Sequence, residues 1–402
     1  MRIDDRKGIY LPDINSDKCN NCGLCYEICP GHSLDFKTLS ISVFGKQPED
    51  IRIGNFRNVY VSYANDRKIR YDGASGGIVT AVLLCALDNG IIDGALVTGM
   101  RKDVPWEPMP MIARTREDII KAARSKYCPV SSNTALAEVL DQDGKYAVVG
   151  LPCHIHGLRK AQKRNKTLFD RVVLTIGLFC ASGRSFRGLE ALLMKLGLDK
   201  QDIRSLEFRG NGWPGSLTIE TMTGKRIVSA LEDYYPYMCC NDPYRCSLCP
   251  DKTSEFADIS CGDAWIPGFN RENGAGRSIC ITRSDMGQSI VAQAVSDEAI
   301  TLSPLADNLL FKSIKTENKK RTISGRRFVC KVLGNKVPNI HADLLPWGFR
   351  DLIEAFKHYS VMLLCSNKRT RGLYFFLRPK YRRIKFAVLN SDEHSSGRAP
   401  IK

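Results

Sequence analysis

A chain of 402 residues is long enough for a large core with at least one appended module, and 43% apolar with 25% charged residues describes an ordinary globular protein. The opening MRIDDRKGIYLPD lacks a secretory apolar stretch and no apolar run approaches a membrane span. A cytoplasmic, reducing setting is therefore expected, in which sixteen cysteines act as thiols or metal ligands rather than as bridges. The net charge of +16 is concentrated: between Lys312 and Lys385 stand 19 Lys or Arg against 4 Asp or Glu, and the rest is almost neutral. Such a local excess points to an acidic partner at that end and away from a whole-surface nucleic-acid binder.

Residues 1–45 are too short for a large core of their own and carry Cys19, Cys22, Cys25 and Cys29, followed by Pro30. This C-x2-C-x2-C-x3-C-P run is that of bacterial-type ferredoxins and predicts a 4Fe–4S cluster. Thiolates two and three residues apart on a tight turn can hold successive cubane corners, and Gly23 lets the backbone wrap close. Zinc sites use C-x2-C pairs set far apart, and bridges between such near neighbours would close strained loops. Either Cys29 closes its own cluster or a distant thiol does; Cys128, Cys239, Cys240 and Cys261 are the spare candidates. Cys85, Cys280, Cys330 and Cys365 sit in apolar or helical surroundings and read as packing residues.

After a polar link, 46–50, residues 58–64 (NVYVSYA) predict a strand. A Gly-rich turn, 73–77, then opens an apolar helix over 78–87, stopped by Asn89-Gly90, and a strand follows over 95–98. Residues 116–125 predict another helix, with Thr115 or a neighbour as cap. Two strand–loop–helix units come next: strand 145–150 with helix 155–163, and strand 171–179 with helix 186–196. This alternation marks an α/β region with parallel pairing, whose ligand crevice lies at the carboxyl ends of the strands. Cys153 and Cys180 occupy the same topological place in successive units, which brings them close together. Residues 204–233 alternate as short strands around the turn FRGNGWPG, and ADISCGDAW (257–265) reads as a strand and turn.

A second C-x2-C, Cys246 and Cys249, follows Cys239-Cys240. Lying between Pro243 and Pro250 rather than at a helix start, it is the less suited to a redox dithiol. Joined with Cys153 and Cys180 it makes four thiolates converging from three loops, which suits iron–sulfur or zinc alike.

The stretches DGASGGIVTAVL, VGLPCHIHGLRK, GLFCASG, RCSLCPDKTSEFADISCGD and ITRSDMGQSI, in this order, resemble the coenzyme F420 hydrogenase/dehydrogenase beta-subunit family, which includes the plant 7-hydroxymethyl chlorophyll a reductases. The resemblance spans roughly 19–300. It implies a flavoprotein with FAD and one or more 4Fe–4S clusters, passing electrons between clusters and a two-electron organic substrate, often the deazaflavin coenzyme. The family's G-x-P-C, G-x-x-C and C-x2-C cysteines correspond to Cys153, Cys180, Cys246 and Cys249, so two clusters are expected. The N-terminal module has one cluster run where some relatives have two, and nothing beyond about 305 matches the pattern.

Clusters exchange one electron at a time and hydride donors give two; a flavin can do both. The resemblance makes Gly73, Ser75, Gly76 and Gly77 the flavin cradle, glycines allowing close approach to amides at the helix start. Taken alone, a Gly-rich turn before a helix is a common structural feature. Lys126 and Arg159 are further positions for flavin or substrate, with Tyr127 beside them. His154 and His156 are either cluster neighbours or plain first-turn histidines. Arg209 and Trp213 either line the substrate face or cap a β layer, while Asp258 and Asp263 serve turns. No catalytic acid or nucleophile stands out.

The expected architecture is an α/β core with α+β elements: a ferredoxin-type module at 1–45, a flavin-cradle half at 55–140, a second-cluster and substrate half at 141–303, and a basic, partly helical tail at 304–402. In the tail, DLIEAFKHYSVMLLC predicts a helix with one apolar face, followed by Lys368-Arg369-Thr370-Arg371 and RPKYRRIKF. Basic and aromatic residues after an amphipathic helix suit an anionic membrane surface or an acidic partner, with a solvated face the ordinary explanation. The expected activity is an FAD- and 4Fe–4S-dependent oxidoreductase working with ferredoxin or a partner subunit. The alternatives are a relay subunit without flavin, a reductase of another organic substrate, and a zinc-stabilised adaptor.

Overall fold

The computed structural model of the protein describes residues 1–239, 242–269, 274–377 and 384–389. Cys240 and most of RPKYRRIKF lie outside them. The core is an eight-stranded mixed sheet. From edge to edge its strands are Ile300–Pro304, Asn58–Ala64, Ser278–Thr282, Ile259–Asp263, Val172–Leu178, Tyr146–Gly150, Gly94–Met100 and Pro108–Ala113. The central four, from Ile259–Asp263 to Gly94–Met100, run parallel, and antiparallel strands complete both sides. Runs such as YAVVG and SICIT are buried on both faces, as parallel and central strands covered by helices must be.

Helices Ile78–Asp88 and Asp285–Ser296 cover one face through Val82, Leu83, Ile290 and Val291, packed on Leu174, Ile176 and Ile259. Helices Leu136–Asp141, Pro152–Gln162 and Lys166–Arg171 cover the other, where Leu136, Leu158 and Leu168 meet Tyr146 and Val148. Each such Leu or Ile contributes about 1.5–3 kcal/mol on burial. A second, antiparallel layer of Ile203–Glu207, Ser216–Thr221, Arg226–Ala230 and the short Ala387–Leu389 packs on helix Phe186–Leu196.

Two helices differ from their sequence bounds. The one expected over 155–163 begins at Pro152, the residue best suited to a first helical position, so Cys153 lies within its first turn. The one expected over 116–125 is Arg116–Lys121, capped by Thr115; Arg124 then adopts φ 74, a left-handed conformation that no helix continues through.

The N-terminal module docks on the core through helix Pro152–Gln162. Leu34, Phe36 and Leu39 pack with Ile155 and Phe256, and Lys160 Nζ donates to Ser33 O at 2.7 Å. The basic region is woven into the same assembly. Strand Asn339–His341 pairs in parallel with Ser33–Asp35, and helix Thr316–Val332 lies on the loop carrying Cys246 and Cys249. Lys320 pairs with Glu255 at 3.0 Å with both side chains buried, and Arg327 donates to Ile340 O at 2.8 Å. Among the described residues of this region, Lys320, Arg326 and Arg327 are thus engaged with internal carboxylates and carbonyls. Among the described residues no helix is long and apolar enough to cross a membrane.

Candidate metal and electron-transfer site

The first cysteine set is local and open. Asn20 Oδ1 accepts from Cys22 N at 3.2 Å, Gly23 turns the chain at φ 72, and the five-residue helix Leu24–Ile28 carries Cys25, with Cys29 as its cap. All four thiols are exposed and unbridged. Of the spare thiols proposed to replace Cys29, Cys128 and Cys261 are buried in separate core clusters, which removes them from reach of this loop. Cys239 follows helix Leu231–Met238, and Cys85, Cys280, Cys330 and Cys365 are buried, as packing residues should be.

The second set is assembled by topology. Cys153 sits at the carboxyl end of strand Tyr146–Gly150 and Cys180 just past the end of Val172–Leu178. Cys246 and Cys249 flank a single 3-10 turn. Cys180 N donates to Lys252 O at 2.8 Å, fastening two of the three loops together. Cys246 lies so close to Gly183 that a Cβ there would stand 2.8 Å from its Sγ. The four thiols are half-buried and unbridged, and they act electrostatically on one another. Burial, then the neighbouring Cys153 and Cys249, pushes the Cys246 thiol up to about 12, and burial likewise raises Cys180 and Cys249. Buried thiols that resist ionisation, as Cys180, Cys246 and Cys249 do, are stabilised as thiolates by a bound cationic centre, so this all-sulfur donor set fits a cluster. Among the described residues no three His, Cys, Asp or Glu side chains gather around a single ion.

Asp251, two residues past Cys249, braces the site from below. Its buried carboxylate lies 2.8 Å from His156 Nε2 and accepts from Glu255 N at 2.9 Å. Burial opposes its charge, but these bonds prevail and hold it below the usual carboxylate range. His154 is enclosed too; burial and the nearby Arg245 lower its pKa to about 4, and Leu151 N donates to its Nδ1. Both histidines are therefore part of the fold under the cysteines. Lys319, from helix Thr316–Val332, donates to Cys180 O at 2.9 Å and Asp251 O at 2.8 Å. Sequence reasoning missed Asp251, Lys319 and Arg245. Only the C-P-D spacing after Cys249 could have signalled the first of these.

The Gly-rich loop lies at the same carboxyl edge of the sheet. A Cβ on Gly76 would stand 2.7 Å from Ser62 O and 2.8 Å from Ser278 N, so close packing on two strands itself demands glycine there. Ser75 Oγ donates to Arg277 O at 2.8 Å, and Gly77 caps helix Ile78–Asp88, with Gly73 at the end of the preceding helix. Beside this loop Arg209 forms a two-pronged pair with Asp263 at 2.9 and 3.0 Å, Trp213 Nε1 donates to the same carboxylate at 3.0 Å, and Trp213 rests on Trp265, centroids 4.7 Å apart. Trp265 and Tyr71 remain about half exposed. Asp263 thus anchors a stacking surface instead of a simple turn. Lys126 donates to the carbonyls of Ala122, Ala123 and Arg124, ending the helix before it. Arg159 lies nearly two turns along its helix from Cys153, bonded to Phe256 O, Gln162, Thr175 and Asp258. The structure does not bring it to the loop edge.

A mixed sheet with a parallel centre and a ferredoxin-type run docked at its cysteine-bearing edge defines a redox protein of the iron–sulfur class. Models of the coenzyme F420 hydrogenase/dehydrogenase beta subunit match residues 59–137 (N-terminal part) and 143–308 (C-terminal part), and a 4Fe–4S binding domain matches 12–35. The coenzyme F420 hydrogenase subunit beta of Methanothermobacter thermautotrophicus is 30% identical over 289 residues, 68% of this chain and 96% of that one. The coenzyme F420-dependent sulfite reductase of Methanocaldococcus jannaschii is 28% identical over 348 residues, 78% of this chain and 51% of that protein. A chain of the F420-reducing [NiFe] hydrogenase complex from Methanosarcina barkeri superposes with a TM-score of 0.54 at 27% identity, covering 70% of this chain and 96% of its own length. The chain belongs to the coenzyme F420 hydrogenase/dehydrogenase beta-subunit family, whose members named here are subunits or enzymes of F420-linked redox chemistry.

Proposed function

We propose that the chain is an FAD- and 4Fe–4S-dependent oxidoreductase subunit that exchanges electrons between reduced coenzyme F420 and ferredoxin or a partner redox subunit. The observation that carries this reading is the convergence of Cys153, Cys180, Cys246 and Cys249 at the sheet edge that also bears the Gly-rich loop, with the Cys19–Cys29 run docked alongside. In this reading residues 1–45 hold the first cluster, 55–140 the flavin and 141–303 the second cluster and substrate face. Cys19, Cys22, Cys25 and Cys29 would ligate the one cluster, and Cys153, Cys180, Cys246 and Cys249 the other.

Oxidation of reduced coenzyme F420 releases two electrons, and iron–sulfur carriers accept them singly. FAD, when bound, supplies the exchange between the two modes. The protein's part is binding and orientation. Amides at the start of helix Ile78–Asp88, opened by Gly73, Ser75, Gly76 and Gly77, would take the diphosphate. Trp213 and Trp265, steadied by Asp263 and Arg209, would support an aromatic ring. Lys126 stays a donor to the carbonyls that end its helix. A second reading, a relay subunit without flavin, is favoured by one observation: Gly76 and Ser75 already use their close approach and hydroxyl on Ser278 and Arg277.

Anaerobic purification followed by iron, sulfide, zinc and flavin assays on one sample separates the readings. About eight iron, eight sulfide and one FAD per chain, with dye-linked oxidation of reduced coenzyme F420, is the expected result. Iron without flavin leaves the relay, and zinc in place of iron overturns both.

A further inference from the structure

Two cations press on the second cysteine set from different elements of the fold. Arg245 is the residue before Cys246 and caps its 3-10 turn. Its side chain lies against Gly31 of the N-terminal module, where a Cβ would stand 2.9 Å from Nε, so the module closes directly onto the guanidinium. That Nε is buried and has no hydrogen-bond partner, an expensive arrangement unless a negative group faces it. Electrostatically Arg245 couples to Cys153, Cys249 and Cys246 and, across the module boundary, to Cys29. It therefore stands between the two cysteine sets.

Lys319 belongs to a segment beyond residue 308, where the family match ends. Its ammonium joins the carbonyl of Cys180 to that of Asp251, tying together two of the loops that supply ligands. It couples electrostatically to Cys180 and Cys249. Both of its hydrogen bonds go to loops of the second set.

We propose that Arg245 and Lys319 are positioning residues that set cluster potentials: Arg245, lodged between the cysteine sets, favours the reduced state of both, and Lys319 favours that of the second alone. The inference rests on reading the second set as a cluster site. Its physical basis is that reduction adds one negative charge to a cluster, and a fixed cation in a low-dielectric surrounding stabilises that charge. The seam between the module and the core thus becomes electrically functional, and a segment outside the shared family region becomes part of the redox machinery.

The test is an EPR-monitored redox titration of the anaerobically purified full chain, with iron and sulfide counted on each sample. In Arg245→Gln both midpoint potentials move negative, the second further. In Lys319→Met only the second moves. The expected size for the second cluster is about a tenfold fall in the reduced-to-oxidised ratio at fixed potential, 59 mV for a one-electron couple. Arg245→Lys and Lys319→Arg, which keep the charge, recover most of the shift. Unchanged potentials with both clusters present overturn the proposal, as does loss of iron with the surviving potential unmoved, which is a purely structural role. If Arg245→Gln cannot hold the second cluster, the first still decides, because Arg245 also faces Cys29. A wild-type chain with only about four iron would instead defeat the two-cluster reading itself.

Discussion

The two cysteine sets are built in opposite ways. Cys19, Cys22, Cys25 and Cys29 fall within eleven consecutive residues, on an exposed loop with one short helix, and their geometry needs little beyond Gly23 and Asn20. Cys153, Cys180, Cys246 and Cys249 come from three loops that only the finished sheet brings together, braced by buried Asp251 and His156 and overlain by helix Thr316–Val332. A contiguous site is bound by local chain, and metal there is linked mainly to ordering its own loop. A dispersed site is linked to folding of the whole core.

The largest effect that would break this comparison comes from the ligands. Cys153→Ser or Cys249→Ser should lower iron from about eight to about four per chain, abolish coenzyme-linked turnover and lower the thermal midpoint of the core. Cys22→Ser should also remove about four iron and yet leave that midpoint nearly unchanged. Calorimetry with iron counting checks both, and equal destabilisation by the two classes would erase the distinction.

Next in size is Lys320→Met. It strands the buried Glu255 carboxylate without its 3.0 Å partner and should cost about 3–5 kcal/mol in denaturant unfolding. Because that pair seats the helix carrying Lys319, the second cluster's spectrum should broaden while the first keeps its shape. A chelator challenge sharpens the contrast kinetically: iron should leave the exposed first set several-fold faster than the second, in two resolved phases by absorbance.

The smallest expected effect concerns pH. Enclosure of the Lys126 ammonium, with Arg124 beside it, lowers its pKa to about 7, below the ordinary lysine value. Between about pH 7 and 10 the unfolded chain then binds more protons than the folded one, so stability rises with pH across that window. Unfolding at pH 7 and 9 should show the rise, Lys126→Met should flatten it, and Cys22→Ser should leave its slope alone.

Legibility in the sequence follows the same division. The ferredoxin run is written in spacing, and the paired strand–helix units are written in apolar periodicity, which also placed Cys153 and Cys180 at equivalent strand ends. The basic region was harder to read. Lys319, Arg326 and Arg327 donate to the main-chain carbonyls of Cys180 and Asp251, Ser247 and Ile340, and a carbonyl acceptor leaves no trace in residue type. Arg159 was hard to read for another reason: apart from Gln162 on its own helix, its partners Phe256, Thr175 and Asp258 are remote in sequence. Gly76 illustrates the converse: its sequence context suggested a ligand cradle, while Ser62 and Ser278 explain the glycine by close packing alone.

The parallel pairing of Ser33–Asp35 with Asn339–His341 has a consequence in time. A ribosome adding about 5–20 residues per second reaches the second strand roughly 15–60 s after the first. Throughout that interval the nascent cysteine run is already made and its clasp is not. Cofactor delivery to the first site therefore has an open window during translation, which closes when the late strand zips onto the early one.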